Sequence, residues 1–349
     1  MLGIDIGGAN TKTAYAQTQK GAIREVKVTA EYFPVWKEPQ KLAQILTKLK
    51  AQVFEGKLDA VGVTMTAELS DAYQTKREGV THILGCVKAV FGEVPIYVLN
   101  TDADLEAPEE AVEAPLKVAS ANWAATGWLV SQYFENCVVV DVGSTSTSII
   151  PVTGGNVSAQ GKTDLDKLIC GELVYTGSLR TNLATIVHHV PVRGEAAMVS
   201  SELFALSGDI HLILGHITSE QYTSETADGR GRTRNEALAR LARLVCSDTE
   251  MLSKRQLVAI AQYIYEKQLD QITNGLMQVY DSAKKGASTK VPVLVAGLGK
   301  DFLARRAAER AEVDTIMDLA ELLPRGVSLA VPAVGVALMA SKRFEGEKP

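Results

Sequence analysis

Cysteine is scarce in this sequence: Cys86, Cys137, Cys170 and Cys246 are the only 4 in 349 residues, and no two form a C-x-x-C pair. Their spacing excludes a zinc ribbon or a disulfide framework as the organising device and leaves reduced, buried thiols as the reading. There is no long Lys/Arg block either. Lys and Arg total 36 against 41 Asp and Glu, a formal charge of −5, which argues against nucleic acid or an anionic membrane as the main partner. A local basic pocket for small anions is still allowed. No uncharged stretch has the ~20 apolar residues of a spanning helix; the most apolar one, Gly326 to Ser341, contains Pro332 and reads as buried helix or strand. The opening Met-Leu-Gly-Ile-Asp lacks the charged-then-apolar plan of a signal peptide, so a cytoplasmic protein is expected. No aromatic-rich stripe marks a partner surface, and the oligomeric state is not written in the pattern.

What is present is ordinary globular composition, 46% hydrophobic and 22% charged, in a chain longer than the roughly 250–300 residues at which single cores stop growing. Two domains follow as the expectation. An internal repeat places them. Leu2-Gly-Ile-Asp-Ile-Gly-Gly-Ala-Asn-Thr-Lys-Thr-Ala-Tyr15 superimposes without gaps on Val138-Val-Val-Asp-Val-Gly-Ser-Thr-Ser-Thr-Ser-Ile-Ile-Pro151, pairing Asp5 with Asp141, Gly7 with Gly143 and Thr11 with Thr147. Each copy reads as a strand, an acid, a Gly-rich polar turn and a second strand, which is a hairpin whose backbone amides can approach a phosphate. The acid can hold magnesium or its waters beside that phosphate.

One such hairpin is also an ordinary structural turn; two copies, one near each expected domain start, resemble the superfamily of actin, sugar kinases and the 70-kDa heat-shock ATPases. The resemblance implies an α/β fold of two ribonuclease-H-like domains facing across a ligand cleft. Residues 1–130 with about 331–349 would form the first domain, closed by the C-terminal segment, and 131–330 the second with a helical insertion. It also implies phosphate contacts from Gly7, Gly8, Asn10, Thr11 and Lys12 and from Gly143, Ser144, Thr145, Ser146 and Thr147, with Asp5 and Asp141 on Mg2+. A later strand, Val291 to Ala296, ends at Gly297 and Gly299 before a helix, as a nucleotide or substrate pocket would; a plain strand–turn–helix connection reads the same way.

Helical spacing of apolar residues predicts helices over Lys41–Gln52 and Asn235–Val245, and one long helix or a pair broken near Asn274-Gly275 over Leu257–Lys285. The acidic stretch Thr101–Pro115 reads as a solvated loop or short helix. Three polar clusters are left over. Thr64, Thr66, Glu68, Asp71, Lys76, Arg77 and Glu78 follow the strand Val61–Val63, where α/β proteins usually put ligands. His188, His189, Arg193, Glu195, Glu202 and Asp209 follow Tyr175-Thr-Gly-Ser-Leu-Arg180; adjacent histidines point apart, a poor metal clamp. Tyr222–Arg232 carries Glu225, Asp228, Arg230 and Arg232 together with Gly229 and Gly231, the composition of a mobile cover over an anion or of a solvated loop.

Taken together, Asp5–Lys12, Thr64-Met-Thr-Ala-Glu-Leu-Ser-Asp71 with Lys76, Ala119-Ser-Ala-Asn-Trp-Ala-Ala125 and Glu225-Thr-Ala-Asp-Gly-Arg230 resemble the hydantoinase A/oxoprolinase-like group. Within it they are most similar to the branch tied to tetrahydromethanopterin-linked one-carbon metabolism, which includes methanofuran biosynthesis. That resemblance implies a transferase joining an aminomethylfuran-methyl diphosphate to the phenol of γ-glutamyltyramine, releasing diphosphate. Lys12, Lys76, Arg193 and Arg230 would then face the developing charge, and Glu68, Glu202 or Asp228 would take the phenolic proton; spacing does not choose among them. ATP is compatible with the hairpins but not favoured, because the adenosine signal is weak. The competing readings are an ATP-dependent small-molecule kinase or lactam hydrolase, and a non-catalytic nucleotide-binding protein.

Overall fold

The computed structural model describes residues 1–19, 22–53, 58–286, 290–323 and 327–347. Gly326, where the apolar C-terminal stretch begins, and residues 348–349 lie outside the described residues. The first sheet contains β1 (Leu2–Ile6), β2 (Asn10–Gln19), β3 (Ala22–Tyr32), β4 (Val61–Met65), β5 (Ile96–Leu99) and β6 (Leu105–Glu106) in the order β3-β2-β1-β4-β5-β6. The second contains β7 (Cys137–Val142), β8 (Thr147–Thr153), β9 (Asn156–Val157) and β10 (Leu173–Val174). A separate ribbon pairs β11 (His189–Val192) with β12 (Glu195–Met198), and β13 (Val293–Ala296) and β14 (Ile316–Asp318) complete the second sheet as β10-β8-β7-β13-β14.

The repeat seen in the sequence is a repeat in space. β1 runs antiparallel to β2 with Asp5 opposite Lys12 and Ile6 opposite Thr11, and parallel to β4. β7 runs antiparallel to β8 with Asp141 opposite Ser148 and Val142 opposite Thr147, and parallel to β13. In each sheet, then, the acid-bearing strand is central and carries its hairpin partner on one side and a parallel strand on the other. Such strands are covered on both faces, which is why β1 and β7 read as near-continuous apolar runs broken by their acid. The result is an α/β architecture of two sheets, each built around one acid-bearing hairpin, as the repeat implied.

The helices are α1 (Leu42–Val53), α2 (Lys76–Phe91), α3 (Pro108–Glu113), α4 (Asn122–Ser131), α5 (Asp164–Cys170), α6 (Ser207–Leu214), α7 (Arg234–Arg243), α8 (Lys254–Gly286), α9 (Arg305–Arg310), α10 (Leu319–Leu322) and α11 (Val331–Phe344). α11 is buried from Val331 to Ser341 and packs on β1, β2, β4 and α4, while α4 also touches β8 and β9. A single apolar cluster therefore runs from Ala14 and Ala16 of the first sheet through α4 and α11 to Val139, Ile150 and Leu294 of the second. The acidic 101–115 stretch holds the short α3.

α8 is continuous through Asn274 and Gly275, where the sequence allowed a break. The glycine serves close approach: a Cβ there would lie 2.6 Å from Val174 Cγ2 and 3.1 Å from the Gly171 carbonyl oxygen. Gly275→Leu is accordingly expected to cost about 1–3 kcal/mol by overpacking, read as a lower urea midpoint. Met277→Leu, at an exposed position of the same helix, should leave the midpoint unchanged.

Candidate active site

The two hairpin turns are built alike. The Gly7 amide donates to the Asn10 carbonyl and the Gly143 amide to the Ser146 carbonyl, each at 3.0 Å. Among the described residues nothing accepts from the amides of Gly8, Ala9, Ser144 and Thr145. Gly8 has open space where a Cβ would stand. Both turns line one cleft of about 740 Å³, together with Asp5, Lys12, Asp141 and Gly297. Thr11 and Thr147 are fully buried beneath the turns, and Thr147 Oγ1 donates to the Thr176 carbonyl at 2.8 Å.

Asp5 and Asp141 converge on the cleft floor with Lys12 acting on both. Burial, opposed by Lys12 and reinforced by the Asp141 charge, pushes the Asp5 carboxyl up to about 6, and burial raises Asp141 in the same direction. The Asn122 side chain favours the ionised form a little, and Asp5 Oδ1 is buried without a hydrogen-bond partner. Two acids sharing one lysine, one of them with an orphaned oxygen, fit a magnesium ion that keeps most of its waters. Gly297, at φ +83°, closes behind them: a Cβ there would stand 2.5 Å from Asp141 Oδ1. Gly299 lies one turn on, its amide donating to the Val142 carbonyl at 3.0 Å.

Along the cleft wall, Glu68 is buried behind Ser120, whose hydroxyl donates to Glu68 Oε1 at 2.6 Å. Lys76 Nζ donates to Asp164 Oδ2 at 3.0 Å and stands 3.8 Å from Glu68, tying the start of α2 to the start of α5. Burial, opposed by Ser120 and Lys76, raises the Glu68 carboxyl to about 7. Beside this network Lys167 is almost wholly buried with Nζ 3.5 Å from the centre of the Trp123 ring and no hydrogen-bond partner. Burial, opposed by Glu172 and Asp164, lowers its amine to about 7.

Two straps fix the turns. Residues 33–36 run beside the first, with the Phe33 and Val35 amides donating to the Ala9 and Gly8 carbonyls. Residues 175–181 clasp the second: the amides of Ser178, Leu179 and Arg180 donate to the carbonyls of Gly143 and Ser144. This contact requires glycine at 177, where a Cβ would lie 2.6 Å from the Thr145 carbonyl carbon. The straps end on partners that meet. Arg180 stacks on Trp36 with its guanidinium carbon 4.9 Å from the ring centre, and Arg180 Nη1 donates to Thr145 Oγ1 at 3.3 Å.

Several expected site residues stand elsewhere. Asp228 is bound in ion pairs with Arg240 at 3.2 Å and Arg243 at 3.0 Å, so its carboxylate holds the 222–232 loop in place instead of facing the main cleft. Arg230 is exposed and outside the lining of that cleft. Arg193 sits in the β11–β12 turn and donates to the Met251 carbonyl. Glu202 is exposed beside Leu203. Glu68 and Lys76 stand behind the lining rather than in it. The loop with Gly229 and Gly231 is pinned: Thr226 Oγ1 donates to the Arg230 carbonyl, Arg232 Nε to the Ser224 carbonyl. Conversely, the cleft includes Trp36, Asp164, Lys167 and Arg180. Arg180 and Trp123 lay in runs that the sequence had drawn attention to. Lys167 had no signal, because a lone lysine on a short amphipathic helix reads as solvated.

A profile of the hydantoinase/oxoprolinase family matches residues 59–343. The chain belongs to this family. Over 346 residues it is 37% identical to the (4-{4-[2-(γ-L-glutamylamino)ethyl]phenoxymethyl}furan-2-yl)methanamine synthase of Methanocaldococcus jannaschii, covering 99% of this chain and 98% of that protein. The enzyme of the same name from Methanococcus vannielii is 35% identical over 213 residues, 60% of this chain and 93% of that one. Among solved structures, a nucleotide-free acetone carboxylase aligns with a TM-score of 0.55 at 9% identity over 96% of this chain and 69% of that one, a likeness of fold alone. The family profile begins after the first hairpin, so Asp5 and Lys12 fall within the near full-length match and outside the profile.

For this hydantoinase/oxoprolinase family member the raised Glu68 carboxyl has a measurable consequence. Between its ordinary value and about 7, the folded protein holds a proton that the unfolded chain has released, so stability falls as pH rises through that window. Glu68→Gln is neutral throughout and lacks this fall. Relative to wild type it should gain on the order of 3 kcal/mol between pH 4.5 and pH 8, measured by urea unfolding; parallel pH profiles for the two proteins would refute the assignment.

Proposed function

We propose that this protein is an ether-forming synthase that joins an aminomethylfuran-methyl diphosphate to the phenol of γ-glutamyltyramine, releasing diphosphate. The observation that carries the reading is the 37% identity running across nearly the whole of both chains to the M. jannaschii synthase. The product in that enzyme's name is an aryl ether between a furan-bound CH2 and the phenol of a γ-glutamylated tyramine, so the bond to be made is fixed by the name.

The chemistry suits the cleft. The bond from CH2 to the diphosphate oxygen breaks, its electron pair leaving with diphosphate while the furan ring oxygen delocalises the positive charge on carbon. The phenol oxygen then bonds to that carbon and its proton departs. The residues' main task is to stabilise the leaving diphosphate and to exclude water. The unpartnered amides of Gly8, Ala9, Ser144 and Thr145, with Lys12 and Arg180, supply donors for an anionic substrate. Asp5 and Asp141 would hold Mg2+, which when bound offsets charge on the diphosphate oxygens. Among carboxylates lining the cleft, Asp5 and Asp141 are committed to the metal and Asp164 to Lys76, which leaves Asp71 to take the phenolic proton.

The test is a reaction with Mg2+, the furan diphosphate and γ-glutamyltyramine, without ATP. Ether and diphosphate should appear together; an absolute requirement for ATP with release of ADP would redirect the assignment to a kinase or hydrolase. Asp5→Asn and Asp141→Asn should each lower turnover by about 10²-fold or more at equal or higher thermal stability, because each removes a buried charge. Wild-type turnover in both variants would remove the metal and phosphate assignment.

A further inference from the structure

Beyond the hairpin tips the cleft opens into a side chamber of about 330 Å³, within the range of small-molecule sites. The two spaces share Asn10 and Ser144, one from each turn, and the stacked pair Trp36 and Arg180. They differ in charge. The main cleft carries Lys12 and both floor acids; the chamber has Arg180 at its border and Glu225, whose carboxylate is already paired with Lys37 at 2.7 Å. Its remaining walls mix aromatic and aliphatic surface, Tyr32 and Leu203 being 43% and 53% exposed, with the polar side chains of Thr223 and Thr226. Ser224 also lines it, a hydroxyl on a residue 8% exposed with no hydrogen-bond partner in the protein.

The chamber is also preformed. Its loop is anchored by Asp228 to Arg240, a fully buried arginine that makes a second ion pair at 2.7 Å to buried Asp209. A pocket with part of its wall aromatic and aliphatic, one orphaned hydroxyl and a neutralised acid suits an aromatic ring on a polar arm of no net charge, such as the zwitterionic γ-glutamyl arm, better than a diphosphate.

We infer that the side chamber is the acceptor subsite, taking the ring and arm of the phenolic substrate and directing its oxygen past the Trp36–Arg180 pair to the carbon held in the main cleft. This rests on the ether-forming reading above. Bond changes are as given there: carbon exchanges its diphosphate oxygen for the phenol oxygen, the electron pair leaves with diphosphate and the phenolic proton goes to Asp71. Ser224 donates to or accepts from the acceptor's amide arm.

Two variants test the chamber. Ala227→Leu fills it from a half-buried loop position, and Ser224→Ala removes only the hydroxyl, so the second remains informative if the first folds poorly. Steady-state kinetics should show KM for γ-glutamyltyramine rising about tenfold in Ala227→Leu and about fivefold in Ser224→Ala, with KM for the furan diphosphate within twofold of wild type. A rise confined to the furan diphosphate, or no change in either KM, overturns the assignment. Failure of the ether-forming reading is visible separately, as wild-type protein that makes no ether. In that event γ-glutamyltyramine binding is followed by tryptophan fluorescence: saturable quenching that Ala227→Leu weakens retains the chamber as an aromatic-alcohol site, and absence of quenching in wild type removes it.

Discussion

The cleft is organised around two carboxylates that share one lysine. Burying a charge is expensive unless it is paired, and Asp5 with Asp141 against Lys12 leaves one negative charge over, with Asp5 Oδ1 unpartnered. The upward displacement of both acids follows first from their burial, with the Asp141 charge adding to it at Asp5. Such an arrangement persists only if the surrounding backbone cannot relax to let water in. The acids therefore stand on central strands buried on both faces, with α11 packed under the first and the Gly297 turn closing behind the second. A bound cation would discharge the imbalance.

The duplication is faithful at the hairpins and broken everywhere that chemistry requires a difference. Both turns have the same closing hydrogen bond and the same unpartnered amides. Each strap follows the strand that flanks its hairpin, β3 or β10, but the second is held from below by Gln268, whose side chain donates to Thr176 Oγ1 and the Gly177 carbonyl at 2.9 Å each. Because that network fixes the strap, it fixes Arg180, and because Trp36 ends the other strap, the stacked pair reports the relative placement of the two turns. Cation–π contacts of this kind contribute about 0.5–2 kcal/mol, too little to hold the halves together. The apolar cluster shared through α4 and α11 does that.

Much of this was legible in the sequence because a repeat is a long-range signal in local form. Aligning Asp5 with Asp141 gave both hairpins, and the expected helices lie where the apolar periodicity put them. What could not be read were contacts between segments distant in the chain. Asp228 and Arg230 sit in a motif-like run, yet Asp228 is spent on Arg240 and Arg243, partners from the following helix that spacing alone does not assign. Lys167 becomes unusual only because Trp123 lies under its amine. Gly275 read as a break for the same reason: a glycine needed for close packing and a glycine ending a helix look identical in one dimension.

Fold and function are separable here, and the comparison with solved structures shows where the line falls. At 9% identity the acetone carboxylase is alike in fold alone, which says nothing about the reaction. Both phosphoryl transfer and loss of diphosphate from carbon place negative charge on phosphate oxygens in the transition state, so both can be served by the same amides and the same acids. The distinction must come from what lies opposite those oxygens. Phosphoryl transfer needs an acceptor in line with phosphorus, while ether formation needs a carbon centre bracketed by a ring-shaped pocket and shielded from water. A chamber that meets the hairpin turns at Asn10 and Ser144, walled in part by Tyr32, Trp36 and Leu203, is the feature that the proposed ether-forming reading uses for its acceptor.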